Sequence, residues 1–207
     1  MRRIAAGLIV IMSVLLVSCK GKTGNTITVG SDKLDNTQSY FSESMHKAAR
    51  CDSGYYYLDK CGASADSLMF YDDKSEESIV LCNKPQCGHD GEECMAYISG
   101  SEFKSELYYY NSYIYMISSK GNLVQISADG TQRTDLGSIC VLSGQDSVSM
   151  CFNDGYAYVS QEITGDIEGN VTVRLHRFNL DTGLSDKIYE ETGYGIGIKH
   201  MAATHFF

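Results

Sequence analysis

The sequence predicts an all-β chain: a β-propeller of four-stranded antiparallel blades, of which about three are present. Three observations carry that reading. A short apolar hairpin closed by a turn of Asn, Asp, Ser or Gly occurs three times. Each hairpin is followed by a second strand pair joined by a polar turn. The strands are rich in tyrosine and β-branched residues, and long helical patterns are absent.

The clearest hairpin runs from Met150 to Phe152, turns at Asn153-Asp154-Gly155 and returns from Tyr156 to Val159. An earlier copy runs from Ala48 to Cys51, turns at Asp52-Ser53-Gly54 and returns from Tyr55 to Leu58. Between them, Leu107 to Tyr110 turns at Asn111-Ser112 and returns from Tyr113 to Met116. Asn, Asp and Gly tolerate the positive φ that tight hairpins need. The second strand pairs are Leu68–Tyr71 with Ile79–Cys82, Leu123–Ile126 with Thr131–Leu136, and Val173–Phe178 with Leu184–Tyr189. Blades are therefore expected at about 46–82, 106–137 and 148–190. Their turns start at Asp52, Asn111 and Asn153, 59 and 42 residues apart. The second spacing fits a blade of about 40–50 residues. The first is longer by 17 residues and holds a cysteine-rich insert, 83–100. An ordinary β-meander sandwich is the competing fold.

With 207 residues, 43% of them hydrophobic, the chain can bury one sizeable core. Three blades do not close a ring, because propellers have about four to eight. The sequence stops at His205-Phe206-Phe207, soon after Gly193-Tyr194-Gly195, after which another strand is expected to begin. This predicts a partial propeller, with about half of the ring outside the sequence.

The N-terminus supplies an address. Arg2-Arg3 precede Ile4 to Val17, fourteen residues without a charge. A basic start, a short apolar core and small residues before a break describe an export signal, too short for a comfortable membrane span. Leu16-Val17-Ser18-Cys19 resembles the lipobox of bacterial lipoproteins. The resemblance implies a signal peptide over 1–18, cleavage before Cys19, and a diacylglycerol on the Cys19 thiol. The protein is then expected on the extracytoplasmic face of the membrane, held by lipid. Residues 19–44, poor in apolar side chains, read as a flexible tether before the folded part at 45–207. Removing 1–18 takes Arg2 and Arg3 and no acid, leaving 15 basic against 26 acidic residues, a net charge of −11. That balance disfavours nucleic acid and anionic lipid head groups as partners.

The insert carries the densest chemistry. Cys82, Cys87, His89 and Cys94 fall in thirteen residues with spacing C-x4-C-x-H-x4-C. The chain's one proline, Pro85, sits among them, and Gly88 and Gly91 permit tight bends. Three thiolates and an imidazole suit a closed tetrahedral zinc site. Disulfide bonding is the alternative, since exported proteins meet oxidising surroundings. Eight cysteines less a lipidated Cys19 leave seven, an odd number that cannot pair completely within one copy. Setting three aside for a metal leaves Cys51, Cys61, Cys140 and Cys151. Of these, Cys140 and Cys151 are the pair that could approach.

The Cys82–Tyr97 segment, taken with the tyrosine-rich hairpins and Cys19, resembles a group of surface lipoproteins from Gram-positive anaerobes. Those proteins carry a Cys-Asn-Lys-Pro-x-Cys-x-His…Cys-x-Ala-Tyr segment between propeller blades. The resemblance implies an exported propeller lipoprotein; it brings no catalytic residues and no substrate.

Recognisable catalytic patterns are missing. His46, His176, His200 and His205 are scattered, with no Ser or Cys partner in a motif. There is no G-x-S-x-G, Gly-rich phosphate loop or H-E-x-x-H. Ser127-Ala128-Asp129-Gly130-Thr131 faintly resembles the Asp-box turn of sialidase-like propellers and reads as a hairpin turn. Asp166 and Glu168 lie in a loop that lacks the alternating ligands of a calcium site. The functional expectation is a membrane-anchored binding protein for a glycan, peptide or envelope protein. A propeller hydrolase or lyase with its catalytic residues on missing blades is the alternative, and a structural envelope scaffold the third.

Overall fold

The hairpins form where the turn residues allow the chain to reverse in two positions. In the computed structural model, which describes residues 48–100, 103, 106–165 and 169–194, thirteen strands follow in order. The expected signal peptide, Cys19 and tether lie outside those residues, as do His46, His200, His205, Asp166 and Glu168. The first sheet contains β1 (Ala48–Cys51), β2 (Gly54–Lys60), β3 (Ala65–Asp72), β4 (Glu77–Val80) and β5 (Tyr97–Ser99). The second is β6 (Tyr108–Tyr110), β7 (Tyr113–Ile117), β8 (Asn122–Ser127) and β9 (Arg133–Ser138). The third is β10 (Ser147–Asn153), β11 (Tyr156–Thr164), β12 (Asn170–Asn179) and β13 (Ser185–Tyr194). Each is an antiparallel up-and-down set, and no helix is present among the described residues. The all-β class and the propeller-like blades expected from the repeats are what the chain forms.

The first and third turns are one residue shorter than their sequence motifs indicate, and the middle one, Asn111-Ser112, is as expected. Hairpin-closing pairs are Cys51–Gly54, Tyr110–Tyr113 and Asn153–Tyr156, so each turn has two residues. Asn111 and Ser112 (φ 47° and 64°) and Asp154 and Gly155 (φ 47° and 79°) take the left-handed pairs that match strand twist. Gly54 belongs to β2 instead. A Cβ there would lie 1.8 Å from the Tyr71 carbonyl oxygen, so its glycine answers the close approach of β3.

The sheets stack face on face. Tyr56, Leu68 and Phe70 of the first meet Tyr109, Ile114, Met116 and Ile126 of the second in one core. The opposite face of the second sheet, with Tyr108, Tyr110, Tyr115 and Leu123, meets Met150, Phe152, Val159 and Phe178 of the third. Alternation along each strand thus sends neighbouring tyrosines into different cores. Buried hydroxyls need partners, and these cross the boundaries. Tyr56 donates to the Ala128 carbonyl (3.1 Å), while the Met150 N–H donates to Tyr108 (3.0 Å) and the Gly155 N–H to Tyr110 (3.3 Å).

One element was not expected. β5 emerges from the end of the cysteine insert and pairs with β3 through Ser67–Tyr97 and Ala65–Ser99. β4 pairs with the other half of the same strand, from Met69–Val80 to Asp72–Glu77. The outer strand of the first sheet is therefore a single edge split in two, and the insert is the excursion between its halves.

Candidate metal centre

The excursion is closed at its root before any metal is considered. The Leu81 N–H donates to the Leu68 carbonyl and the Leu68 N–H to the Ala96 carbonyl, both at 2.8 Å. Leu81, Cys94 and Ala96 are buried in the core shared by the first and second sheets. Inside this loop, tight bends turn the ligands inward. The Cys87 N–H donates to the Lys84 carbonyl, and that of Cys94 to the Gly91 carbonyl at 2.9 Å. Gln86 and His89 take left-handed φ values of 58° and 59°, which let the chain reverse on either side of Cys87. Lys84 Nζ spans the loop to the Glu93 carbonyl at 3.0 Å.

These bends bring together all four residues singled out by their spacing. One ligand atom each from Cys82, Cys87, His89 and Cys94 lies within 4.8 Å of the other three. His89 Nδ1 is 3.4 Å from Cys94 Sγ. Tetrahedral zinc, with bonds of about 2.3 Å to sulfur and 2.0–2.1 Å to nitrogen, separates its ligands by about 3.4–3.8 Å. The donor set and its spread fit such an ion with sub-ångström side-chain adjustment. Cys94 is buried and the other three are partly buried, as a site at the foot of a loop would be.

The electrostatics point the same way. Burial alone raises the Cys82 thiol, but backbone hydrogen bonds from Lys84 and Met95 and the neighbouring thiols outweigh it. Together they hold Cys82 below its ordinary value. Cys94 is pushed up to about 12, first by burial and then by Cys82 and Cys87. The shared sulfur network thus favours ionisation at Cys82 and opposes it at Cys94, an opposition that a cation among the sulfurs would relieve. The backbone hydrogen bonds onto sulfur are the outer support that metal thiolates ordinarily have.

The loop is also fastened to the second sheet. The β8–β9 turn is built on Asp129, whose Oδ1 accepts from Ser127 Oγ and Thr131 Oγ1 (both 2.7 Å) and from the Thr131 N–H (3.0 Å). Gly130 at its tip (φ +69°) sits where a Cβ would be 2.7 Å from the Leu81 carbonyl oxygen and 3.0 Å from the Cys82 nitrogen. The Asn83 N–H donates to the Gly130 carbonyl (3.3 Å). On the far side, Arg133 donates to the Tyr97 carbonyl (2.9 Å), and its guanidinium lies over the Phe103 ring at 5.3 Å. The Ser127–Thr131 motif is a hairpin turn, as expected, but one that holds the root of the cysteine loop. A cleft of about 700 Å³ opens beside it, with Glu92, Glu93, Met95, Tyr97, Arg133 and Asp135 in its walls.

The other cysteines do not converge. All seven described cysteines are free. Cys140 is buried between the second and third sheets, whereas Cys151 lies on the opposite face of β10 beside Leu175. The intervening sheet keeps apart the pair that sequence proximity had brought together. Cys51 is buried and Cys61 exposed.

His176 is the scattered histidine that gains a role. It is 8% exposed, and its Nε2 lies 3.1 Å from Gln161 Oε1. Gln161 donates from Nε2 to the Val141 carbonyl and to Asp146 Oδ2, both at 2.8 Å. With its amide oriented by those two acceptors, Gln161 presents oxygen to the imidazole, so Nε2 carries the proton. Asp146 in turn accepts from the Ser143 N–H (2.9 Å) and hydroxyl. This chain ties the 139–146 connection to the third sheet. No sequence spacing announces it, because its members come from three segments.

In comparisons with known proteins, the chain matches no family model, and no curated protein is significantly similar to it.

Proposed function

We infer that the chain is a lipid-tethered, extracytoplasmic β-propeller protein that binds a glycan, peptide or envelope-protein ligand, and that Cys82, Cys87, His89 and Cys94 hold a structural zinc ion. The convergence of four ligand atoms within 4.8 Å carries the zinc reading. The zinc reading and Cys19 together support the resemblance to surface lipoproteins. The open cleft beside the loop supports binding as the activity, because pockets of about 300–1,000 Å³ suit small ligands or peptide side chains.

Zinc at this place is a staple. The loop that it organises is rooted in the first sheet at Leu68 and abuts the second at Gly130 and Arg133. Removing the ion frees residues 83–97 and also withdraws support from the β8–β9 turn. Hydrogen exchange with and without a chelator tests this: protection should fall at 83–97 and at 127–131, while β11 and β12 stay protected. Unchanged exchange in both segments rejects the staple. The tether is tested separately. The wild-type protein should partition into detergent with lipid on Cys19, and Cys19→Ala should abolish that modification. Unmodified wild-type protein in the aqueous phase, with Met1 retained, rejects the anchor.

A further inference from the structure

Two of the four ligands are placed by the first sheet, and two by the loop itself. Leu68 of β3 holds both ends of the excursion, accepting from the Leu81 N–H and donating to the Ala96 carbonyl. Cys82 follows Leu81, and its N–H donates to the Val80 carbonyl at 2.8 Å, which turns the chain sharply as it leaves the sheet. Cys94 precedes Ala96 by two residues, and its carbonyl accepts from the Tyr97 N–H at 3.2 Å in the turn that leads into β5. The Met95 N–H, next in the chain to Cys94, donates to the Cys82 sulfur. Cys87 and His89 are placed instead by bends within the loop: the Cys87 N–H on the Lys84 carbonyl at 3.3 Å, and the left-handed backbone of Gln86 and His89.

Cys82 and Cys94 are thus neighbours whether or not an ion lies between them. Their sulfurs are at most 4.8 Å apart, and a disulfide holds sulfurs at about 2.05 Å, so the two side chains have at most about 2.8 Å to close. A bridge strains the fold least where the backbone already holds its two residues near one another. That condition selects Cys82 with Cys94 over either pairing with Cys87. Accessibility divides the roles within the pair. Cys82 is partly exposed and can meet a small solute, whereas Cys94 is 3% exposed and is reached from Cys82.

We propose that Cys82 and Cys94 form a reversible, peroxide-sensitive pair, whose oxidation to a disulfide discharges the metal and opens one wall of the cleft beside the loop. The Cys82 thiolate attacks hydrogen peroxide, takes one oxygen as a sulfenic acid and releases the other as hydroxide. The Cys94 thiolate then attacks the Cys82 sulfur, forming the S–S bond and expelling the second oxygen as hydroxide. Two thiolates have given two electrons, and the O–O bond has taken them. Cys87 and His89 are then the ligands left, two where a closed site needs four, so the ion is lost. The new bond keeps the root closed but frees the stretch between Cys82 and Cys94. Glu92 and Glu93 in that stretch are part of the cleft wall, whereas Arg133 and Asp135 of the same cleft belong to β9 and stay in place. The inference rests on the zinc reading, because the metal is what oxidation discharges.

The test uses the processed, detergent-solubilised chain carrying Cys61→Ser, which removes the exposed thiol among the described cysteines. It is reduced, loaded with zinc and treated with hydrogen peroxide. A chromophoric chelator should report about one zinc released per chain, with about two thiols lost for each zinc. Peptide mapping should find Cys82 joined to Cys94, and reductant with added zinc should restore the starting state. Hydrogen exchange should show protection lost over 84–93 but kept at 94–97 and 127–131, whereas a chelator without peroxide loosens all three segments. Cys87→Ser should still form the bond, while Cys82→Ser and Cys94→Ser should each abolish it. A bridge through Cys87, or zinc retained until the thiols have passed to sulfinic acid, overturns the proposal. The two readings fail separately. A reduced chain that takes up no zinc yet joins Cys82 to Cys94 rejects the staple alone, and a zinc-loaded chain that peroxide leaves intact rejects the oxidisable pair alone.

Discussion

Gly130→Ala separates a turn that merely needs glycine from a turn that presses on the metal loop. At φ +69° an L side chain costs about 1 kcal/mol in backbone strain. The added Cβ would also lie 2.7 Å from the Leu81 carbonyl oxygen and 2.8 Å from its carbon. Those atoms are backbone at the closed root of the loop and cannot swing aside, so overpacking adds about 1–3 kcal/mol. Gly155→Ala is the internal control: φ is +79°, and its Cβ would meet nothing within 4 Å. Urea unfolding should therefore show a loss of about 1 kcal/mol for Gly155→Ala and about 2–4 kcal/mol for Gly130→Ala. A difference of about 2 kcal/mol corresponds to roughly 4–8 °C in Tm for a chain of this size. Because the displaced atoms flank Cys82, zinc competition should give a weaker affinity for Gly130→Ala and an unchanged one for Gly155→Ala. Equal losses in the two variants, with equal zinc affinity, would refute the claim that the second sheet supports the metal loop.

Further outcomes follow from single contacts. Tyr56→Phe removes a buried hydrogen bond to the Ala128 carbonyl and should cost about 1–2 kcal/mol by denaturant titration, because the carbonyl stays buried. Burial, then the charges of Arg174 and Lys187, depress the His176 pKa below 6.5, so the unfolded chain binds a proton that the folded chain refuses. Stability should therefore be full above about pH 6.5 and fall with pH below it, a slope that His176→Gln should flatten in melts taken from pH 5 to 8. His89→Ala should weaken zinc binding without abolishing it, since three thiolates remain, whereas Cys94→Ser removes the buried ligand and should cost more; both are read by competition with a chromophoric chelator.

The chemistry and the periodicity of the site were legible in the sequence; its setting was not. C-x4-C-x-H-x4-C is local, so thirteen residues carry enough information to bring four ligands together. The hairpins were equally local, and their two-residue turns announce themselves through Asn111-Ser112 and Asp154-Gly155. What escaped was the fate of residues 97–99. Tyr-Ile-Ser is too short to read as a strand, and it becomes β5 only because β3 leaves half of its edge unpaired. The docking of Gly130 on Leu81 and the His176–Gln161–Asp146 chain escaped for a related reason, since each joins segments about 15–50 residues apart. Cys140 and Cys151 show the opposite error. They are near in sequence, yet side-chain alternation on β10 turns Cys151 to the face away from Cys140.

Metal content tests the central claim most directly. Protein prepared without metal-affinity tags should contain about one zinc per chain by elemental analysis, as a single four-ligand site requires. A chelator at neutral pH should release it, and acid should weaken binding because the thiolates and imidazole must give up protons to bind. Reductant alone should then leave the 83–97 loop unchanged. A metal-free chain with a mapped disulfide among Cys82, Cys87 and Cys94, loosened by reductant and indifferent to chelator, would contradict the account.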